Sequence, residues 1–167
     1  MLGPALVSLT LLASPDLGEI RAQRSLGVAL APAMAFHHMS DGFLLPLGFA
    51  VDKLLGARWG VSAAVARFPD SEGPITQLSL GGRAYLSSGA VAPYVAADLG
   101  LETDPVGYGP SRKSPFLLGG VGVECATRSG LFVALDGALG PHLVDVGGAS
   151  REWQVLGRTR VLLGLRI

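Results

Sequence analysis

Trp153-Gln154-Val155-Leu156-Gly157-Arg158-Thr159-Arg160-Val161-Leu162-Leu163-Gly164-Leu165-Arg166-Ile167 is the stretch on which the fold turns. From Val155 it alternates. Val155, Gly157, Thr159, Val161, Leu163, Leu165 and Ile167 fall on one side; Leu156, Arg158, Arg160, Leu162, Gly164 and Arg166 fall on the other. A period of two marks a strand, and glycines at 157 and 164 disfavour a helix. One face is almost wholly apolar while the other carries three arginines. Such a strand needs a nonpolar medium on one side and partners for three guanidinium groups on the other.

Working outward, the same alternation recurs in seven earlier segments, at 26–36, 43–54, 59–68, 75–86, 94–102, 116–126 and 131–140. Each is close to the roughly 9–11 residues with which a tilted strand crosses a bilayer. The links alternate as well. Those at 56–58, 87–93 and 127–130 are tight, whereas 37–42, 69–74, 103–115 and 141–152 are more polar and often longer. Short turns at one end and longer loops at the other are the arrangement of an outer-membrane barrel, and an even strand number leaves both termini at the short-turn, periplasmic end. The predicted fold is all-β: a closed antiparallel up-and-down transmembrane β-barrel of about eight strands.

Composition bounds the alternatives. The chain has 167 residues, 49% hydrophobic and only 16% charged, with 24 Gly and 11 Pro. One domain is expected, and so much glycine and proline argues against a helical bundle. No run approaches the about 20 apolar residues of a spanning helix. Formal net charge is +0, so no nucleic-acid partner is implied. Cys125 is the sole cysteine, which excludes an intramolecular disulfide and a cysteine-based metal cluster. It reads as a small apolar strand residue. Residues 1–24 read as an export signal and leader, with Leu2 to Ala13 as the apolar core and Ala13 or Ser14 at a cleavage site. No Lys or Arg precedes Arg21, a departure from the usual basic start. The barrel domain is then 25–167.

Which face points inward follows from size. A soluble barrel puts its apolar face inside and a membrane barrel reverses this. The less apolar face here is rich in Gly, Ala and Ser with isolated charges. That suits the narrow interior of eight strands, and a soluble exterior would carry many more Lys and Glu. The inward face then encloses Asp52, Asp98, Glu102, Glu124 and Asp136 together with Arg83, Arg158, Arg160 and Arg166. Buried charges persist when paired and hydrogen-bonded, so an arginine–carboxylate network bridging strands is predicted. Aromatics suggest two interfacial girdles: Phe36, Phe43, Phe68, Phe116 and Trp153 at the loop ends, Trp59, Tyr85 and Tyr94 at the turn ends.

Leu80-Gly81-Gly82-Arg83-Ala84-Tyr85-Leu86, followed by Ala92-Pro93-Tyr94-Val95-Ala96-Ala97-Asp98-Leu99-Gly100, resembles the central hairpin of small outer-membrane β-barrels of the OmpA/OmpX/OmpW type. The resemblance extends over 25–167 and is one of pattern. It implies a location in the cell outer membrane, lipid and lipopolysaccharide as surroundings, the outer-membrane insertion machinery as a partner during assembly, a monomer, and no cofactor. That family's last strand usually ends in Phe; this chain has Leu165-Arg166-Ile167.

No phosphate loop, nucleophile elbow or zinc motif is present. His37, His38 and His142 fall in or beside predicted loops, without the spacing of a metal site. His38-Met39-Ser40-Asp41-Gly42 is similar to the His-x-Ser-Asn element of outer-membrane lipid A deacylases. On that resemblance His38 would act as base, Ser40 as nucleophile and Asp52 as the orienting acid. Asp in place of Asn, and a position in the first hairpin, depart from that pattern; the simpler reading is a polar loop with an Asp-Gly turn. The favoured expectation is a barrel without enzymatic activity, structural or interactive in role, with a narrow pore as a further alternative. Tyr108, Arg112 and Lys113 in the 103–115 link are the residues expected to make loop contacts.

Overall fold

A computed structural model describes residues 25–31, 33–36, 47–69, 74–104, 112–147 and 150–167. The strands are β1 (Leu26–Leu30), β2 (Ala33–Phe36), β3 (Leu47–Leu54), β4 (Trp59–Phe68), β5 (Ile75–Tyr85), β6 (Val91–Asp104), β7 (Arg112–Ala126), β8 (Leu131–Gly147) and β9 (Ser150–Arg166). β1 and β2 run along the same edge of β9 in one unbroken register, Gly27 opposite Arg166 and Ala33 opposite Arg160. They are two halves of a single stave, so the barrel has eight. Neighbours are antiparallel and sequential, and the ring closes where β1 meets both β3 and β9. At the seam Ile167 N–H donates to Leu26 O at 2.8 Å, and Leu26 N–H returns a bond to Ile167 O at 3.3 Å. Closure matters because an open sheet edge would leave donors and acceptors unpaired.

The stagger can be read from the pairings. Starting at Leu26 and stepping across the ring passes Lys53, Val61, Gly82, Ala97, Gly119, Leu139 and Gly157 and returns to the first stave at Phe36, ten positions further along. Ten residues of about 3.3 Å rise against eight spacings of about 4.8 Å tilt the strands by roughly 40° from the barrel axis. The connections after β3, β5 and β7 are tight and lie at the same end as Leu26 and Ile167. Gly56 (φ 88°) and Gly130 (φ 93°) take the left-handed conformation that two of these turns need.

Several boundaries differ from the sequence expectation. Pro93 lies inside β6, which begins at Val91, and the 103–115 link shrinks because β6 runs to Asp104 and β7 starts at Arg112. The expected loop at 141–152 is replaced by strand: β8 and β9 continue paired through Pro141–Val155, His142–Gln154 and Leu143–Trp153 up to Gly147 and Ser150. Pro141 faces outward in the strand, and its composition had suggested a break. Residues 1–24 and 43–46 lie outside the described residues.

Alternation sorts the two faces. Outside are Val28, Leu30, Phe49, Val65, Leu78, Leu80, Leu99, Leu117, Val133, Leu135, Leu139 and Leu163, all exposed to the surroundings. Inside, an apolar cluster near the turn end joins Leu54, Tyr85, Tyr94, Phe132 and Leu162, and a second near the loop end joins Phe116, Leu118, Ala138 and Leu156. This corrects the girdle expectation. Phe68, Phe116, Tyr85 and Tyr94 are buried inside the barrel, while Trp59 (62% exposed) and Trp153 (69%) face out at opposite ends. A girdle needs both the right height and the right face, and these four have the inward parity. The side chain of Phe36, and Phe43, lie outside what is described.

Candidate functional site

The charged interior is built chiefly on β9. Its alternation sends Leu156, Arg158, Arg160, Leu162 and Arg166 inward, and all five are buried. The carboxylates opposite come from four other staves: Asp52 on β3, Asp98 and Glu102 on β6, Glu124 on β7 and Asp136 on β8, every one buried. Nearest the turns, Arg166 splits its guanidinium, Nη1 donating to Asp52 Oδ2 and Nη2 to Glu124 Oε2, both at 2.7 Å. Glu124 is fully inaccessible and also accepts the Tyr85 hydroxyl at 2.8 Å. Arg166 lies over the Phe132 ring, 4.7 Å from its centroid.

One level up, Asp136 Oδ2 accepts Arg160 through Nε (3.1 Å) and Nη2 (2.8 Å), and the Tyr94 hydroxyl at 2.8 Å. Arg160 Nη2 also approaches Asp98 Oδ2 at 3.8 Å, and Asp98 is hydrogen-bonded by Arg158 Nη2. Two arginines therefore share two carboxylates across β6, β8 and β9. Small residues make room for this. A Cβ on Gly122 would fall 2.5 Å from Tyr94 Cζ and 2.7 Å from Asp136 Cβ, so that position holds no larger residue without displacing the network.

Arg83 is the exception. It comes from β5, is 3% exposed, and its guanidinium sits 5.1 Å from the Tyr94 ring centroid, with Glu124 Oε2 at 3.9 Å from Nη1. None of its three side-chain nitrogens meets hydrogen-bond geometry among the described residues. Attraction to the ring face and to Glu124 compensates its burial in part.

The loop end of the interior holds Glu102, bonded by Gln77 Nε2 at 2.6 Å, with His142 Nε2 at 3.7 Å from Glu102 Oε1. His142 is therefore not a loop residue. It is buried on β8, edge-on to Phe116 with ring centroids 6.3 Å apart. Sequence reasoning missed it because Pro141 made the segment look like a loop; the spacing Asp136, Ala138, Gly140, His142 was the signal that continued the inward parity.

His38 and Ser40 lie outside the described residues, as does His37. Asp52 hydrogen-bonds Arg166 near the tight turns, five residues along β3 from Leu47 and therefore roughly 16 Å from the end of the strand that the 37–46 connection enters. Tyr108 also lies outside the described residues. Arg112 and Lys113 are strand residues, opposite Asp104 and Thr103, rather than parts of a loop. Among the described residues no three of His, Cys, Asp and Glu gather as metal ligands.

No family model matches the chain, and no curated protein matches it. Solved structures do. The N-terminal β-barrel domain of Pseudomonas aeruginosa OprF aligns with a TM-score of 0.56 at 15% identity, covering 85% of this chain and 98% of that one. Neisserial surface protein A (NspA) aligns with a TM-score of 0.59 at 14% identity, covering 85% and 96% respectively. At such identities the likeness is one of fold, and the chain has the fold of these small eight-stranded outer-membrane barrels.

Proposed function

We propose that this chain is a non-enzymatic β-barrel of the outer membrane, a scaffold that holds loops at the cell surface. The observation that carries this reading is the inversion of polarity. Described carboxylates on β3 to β8 and four arginines are buried inside, while the outer wall is a belt of Leu, Val and Phe between Trp59 and Trp153. Water would expose that belt at high cost, whereas hydrocarbon accepts it, and a closed ring leaves no unpaired edge in lipid. The tight-turn end and both strand termini then face the periplasm, and the opposite strand ends, at Leu47, Phe68, Ile75, Asp104 and Arg112, face outward. Layers of side chains inside favour a plugged scaffold over a conducting pore.

The test is electrophoretic and physical. The refolded protein should require detergent or lipid for solubility and should migrate differently on a gel with and without boiling. Solubility without detergent, with no heat-dependent shift, would overturn the membrane reading. A structural role further predicts no steady ion conductance in planar bilayers.

A further inference from the structure

On the outer wall of β3 to β7, every charged side chain that is described is a cation. The described carboxylates of β3 to β8 are buried, whereas Lys53, Arg67 and Lys113 are exposed and point outward. Arg67 and Lys113 belong to one row at the loop end. The register sets Arg67 beside Thr76, Thr76 beside Thr103, and Thr103 beside Lys113. Four staves at about 4.8 Å spacing make this row roughly 14 Å long. Thr103 Oγ1 donates to Thr76 O at 3.0 Å. Arg67 and Lys113 have no hydrogen bond or ion pair among the described residues.

The wall beneath is shaped to match. Two positions toward the turn end, the same four staves carry Val65, Leu78, Leu101 and Pro115, an apolar row. Six positions down, the row is Val61, Gly82, Ala97 and Gly119. Here the wall is indented by a shallow groove of about 470 Å³ at Gly82 and Ala97 that extends to Trp59 at the turn end; a second, of about 510 Å³, runs from Gly119 away onto β8 and β9. A Cβ on Gly119 would meet nothing within 4 Å, so the barrel's own packing does not require that glycine. Six residues span about 20 Å of strand, or about 15 Å of depth at the barrel's tilt, which is half of a ~30 Å hydrocarbon core. The cations therefore stand about 15 Å nearer the loop end than this row.

We propose that the outer face of β4–β7 seats one phosphorylated, anionic acyl lipid of the outer leaflet. Arg67 and Lys113 hold its phosphates, the Thr76 hydroxyl adds a donor, and the acyl chains run down the apolar rows toward the groove at Gly82 and Ala97. The guanidinium fork of Arg67 suits phosphate, and both long side chains reach to the headgroup level from an apolar wall. Because the row is inclined with the strands, Lys113 stands about 9 Å further out than Arg67. That separation favours a headgroup carrying two phosphates. The proposal rests on the membrane reading above.

Native mass spectrometry of the refolded barrel in neutral detergent, titrated with diphosphoryl lipid A, tests it. The expected result is a one-to-one adduct whose dissociation constant rises at least tenfold in the Arg67→Gln/Lys113→Gln variant and at least tenfold for dephosphorylated lipid A. Lys53→Gln, at the turn end of neighbouring β3, should leave it unchanged, and Gly82→Leu should weaken it several-fold by filling the groove there. Equal binding by the double-cation variant, equal binding of dephosphorylated lipid, or an equal loss in Lys53→Gln overturns the seat. Heat-modifiable migration of the same samples reports separately on the barrel; its absence in the wild type overturns the membrane reading and the seat with it.

Discussion

Removing Asp136 from the interior should be far more damaging than removing its whole network. Asp136 Oδ2 accepts two bonds from Arg160 and one from Tyr94. Asp136→Leu strands Arg160 beside Asp98, 3.8 Å away and already bonded by Arg158, so two buried cations are left with one carboxylate. Breaking one side of a buried pair typically costs about 3–5 kcal/mol. Asp136→Leu/Arg160→Leu removes both charges and leaves only the Tyr94 hydroxyl without its acceptor, a cost of about 1–3 kcal/mol. Adding Tyr94→Phe removes that group too, and the triple variant should lie within about 1 kcal/mol of wild type, since apolar replacement of a whole buried ionic set is often neutral or stabilising. The assay is urea unfolding in lipid vesicles, followed by the fluorescence of Trp59 and Trp153, both on the outer wall and remote in parity from the mutated face. A triple variant less stable than the single one, or single costs that simply add in the double, would refute the coupling described here.

Three further expectations concern the wall and its glycines. Gly122→Ala should cost about 1–3 kcal/mol in the same assay, because its Cβ would lie 2.5 Å from Tyr94 Cζ, whereas Gly137→Ala, where a Cβ meets nothing within 4 Å, should be neutral or stabilise by up to about 1 kcal/mol. Leu135→Arg, on the outer face of β8, should cost about 2–4 kcal/mol in vesicles if that face meets lipid; a negligible effect would favour an aqueous exterior. Lipids brominated near the headgroup should quench single-tryptophan variants retaining Trp59 or Trp153 more strongly than lipids brominated at the chain ends, with the reverse order contradicting the placement of these two residues at opposite margins of the belt.

Architecture was legible because the period of two is written into every stave, and alternation alone decides that Arg158, Arg160 and Arg166 share a face. Which arginine meets which carboxylate was not legible. That depends on the ten-position stagger of the ring, a property of all the pairings together, which sets Asp52 and Glu124 near Arg166 although they lie 114 and 42 residues away. Strand ends were also hidden. Gly140 and Pro141 signal a break by propensity, yet β8 continues because its pairing with β9 keeps both faces in register past them. The aromatic positions failed for a related reason: Tyr85 and Tyr94 were placed by distance from the turns without their parity, which sends them inward to Glu124 and Asp136.

The concentration of interior cations on β9 has a consequence for the order of assembly. Asp52, Asp98, Glu102, Glu124 and Asp136 all precede β9 in the chain, and of the four arginines described as buried only Arg83 does. A sheet built stave by stave would hold these five carboxylates toward a forming lumen with one buried arginine among them. The last stave brings three at once, together with both seams that seal the ring. A partly zipped barrel therefore gains little until β9 docks along its whole length, and the final step behaves as a latch that either engages fully or releases.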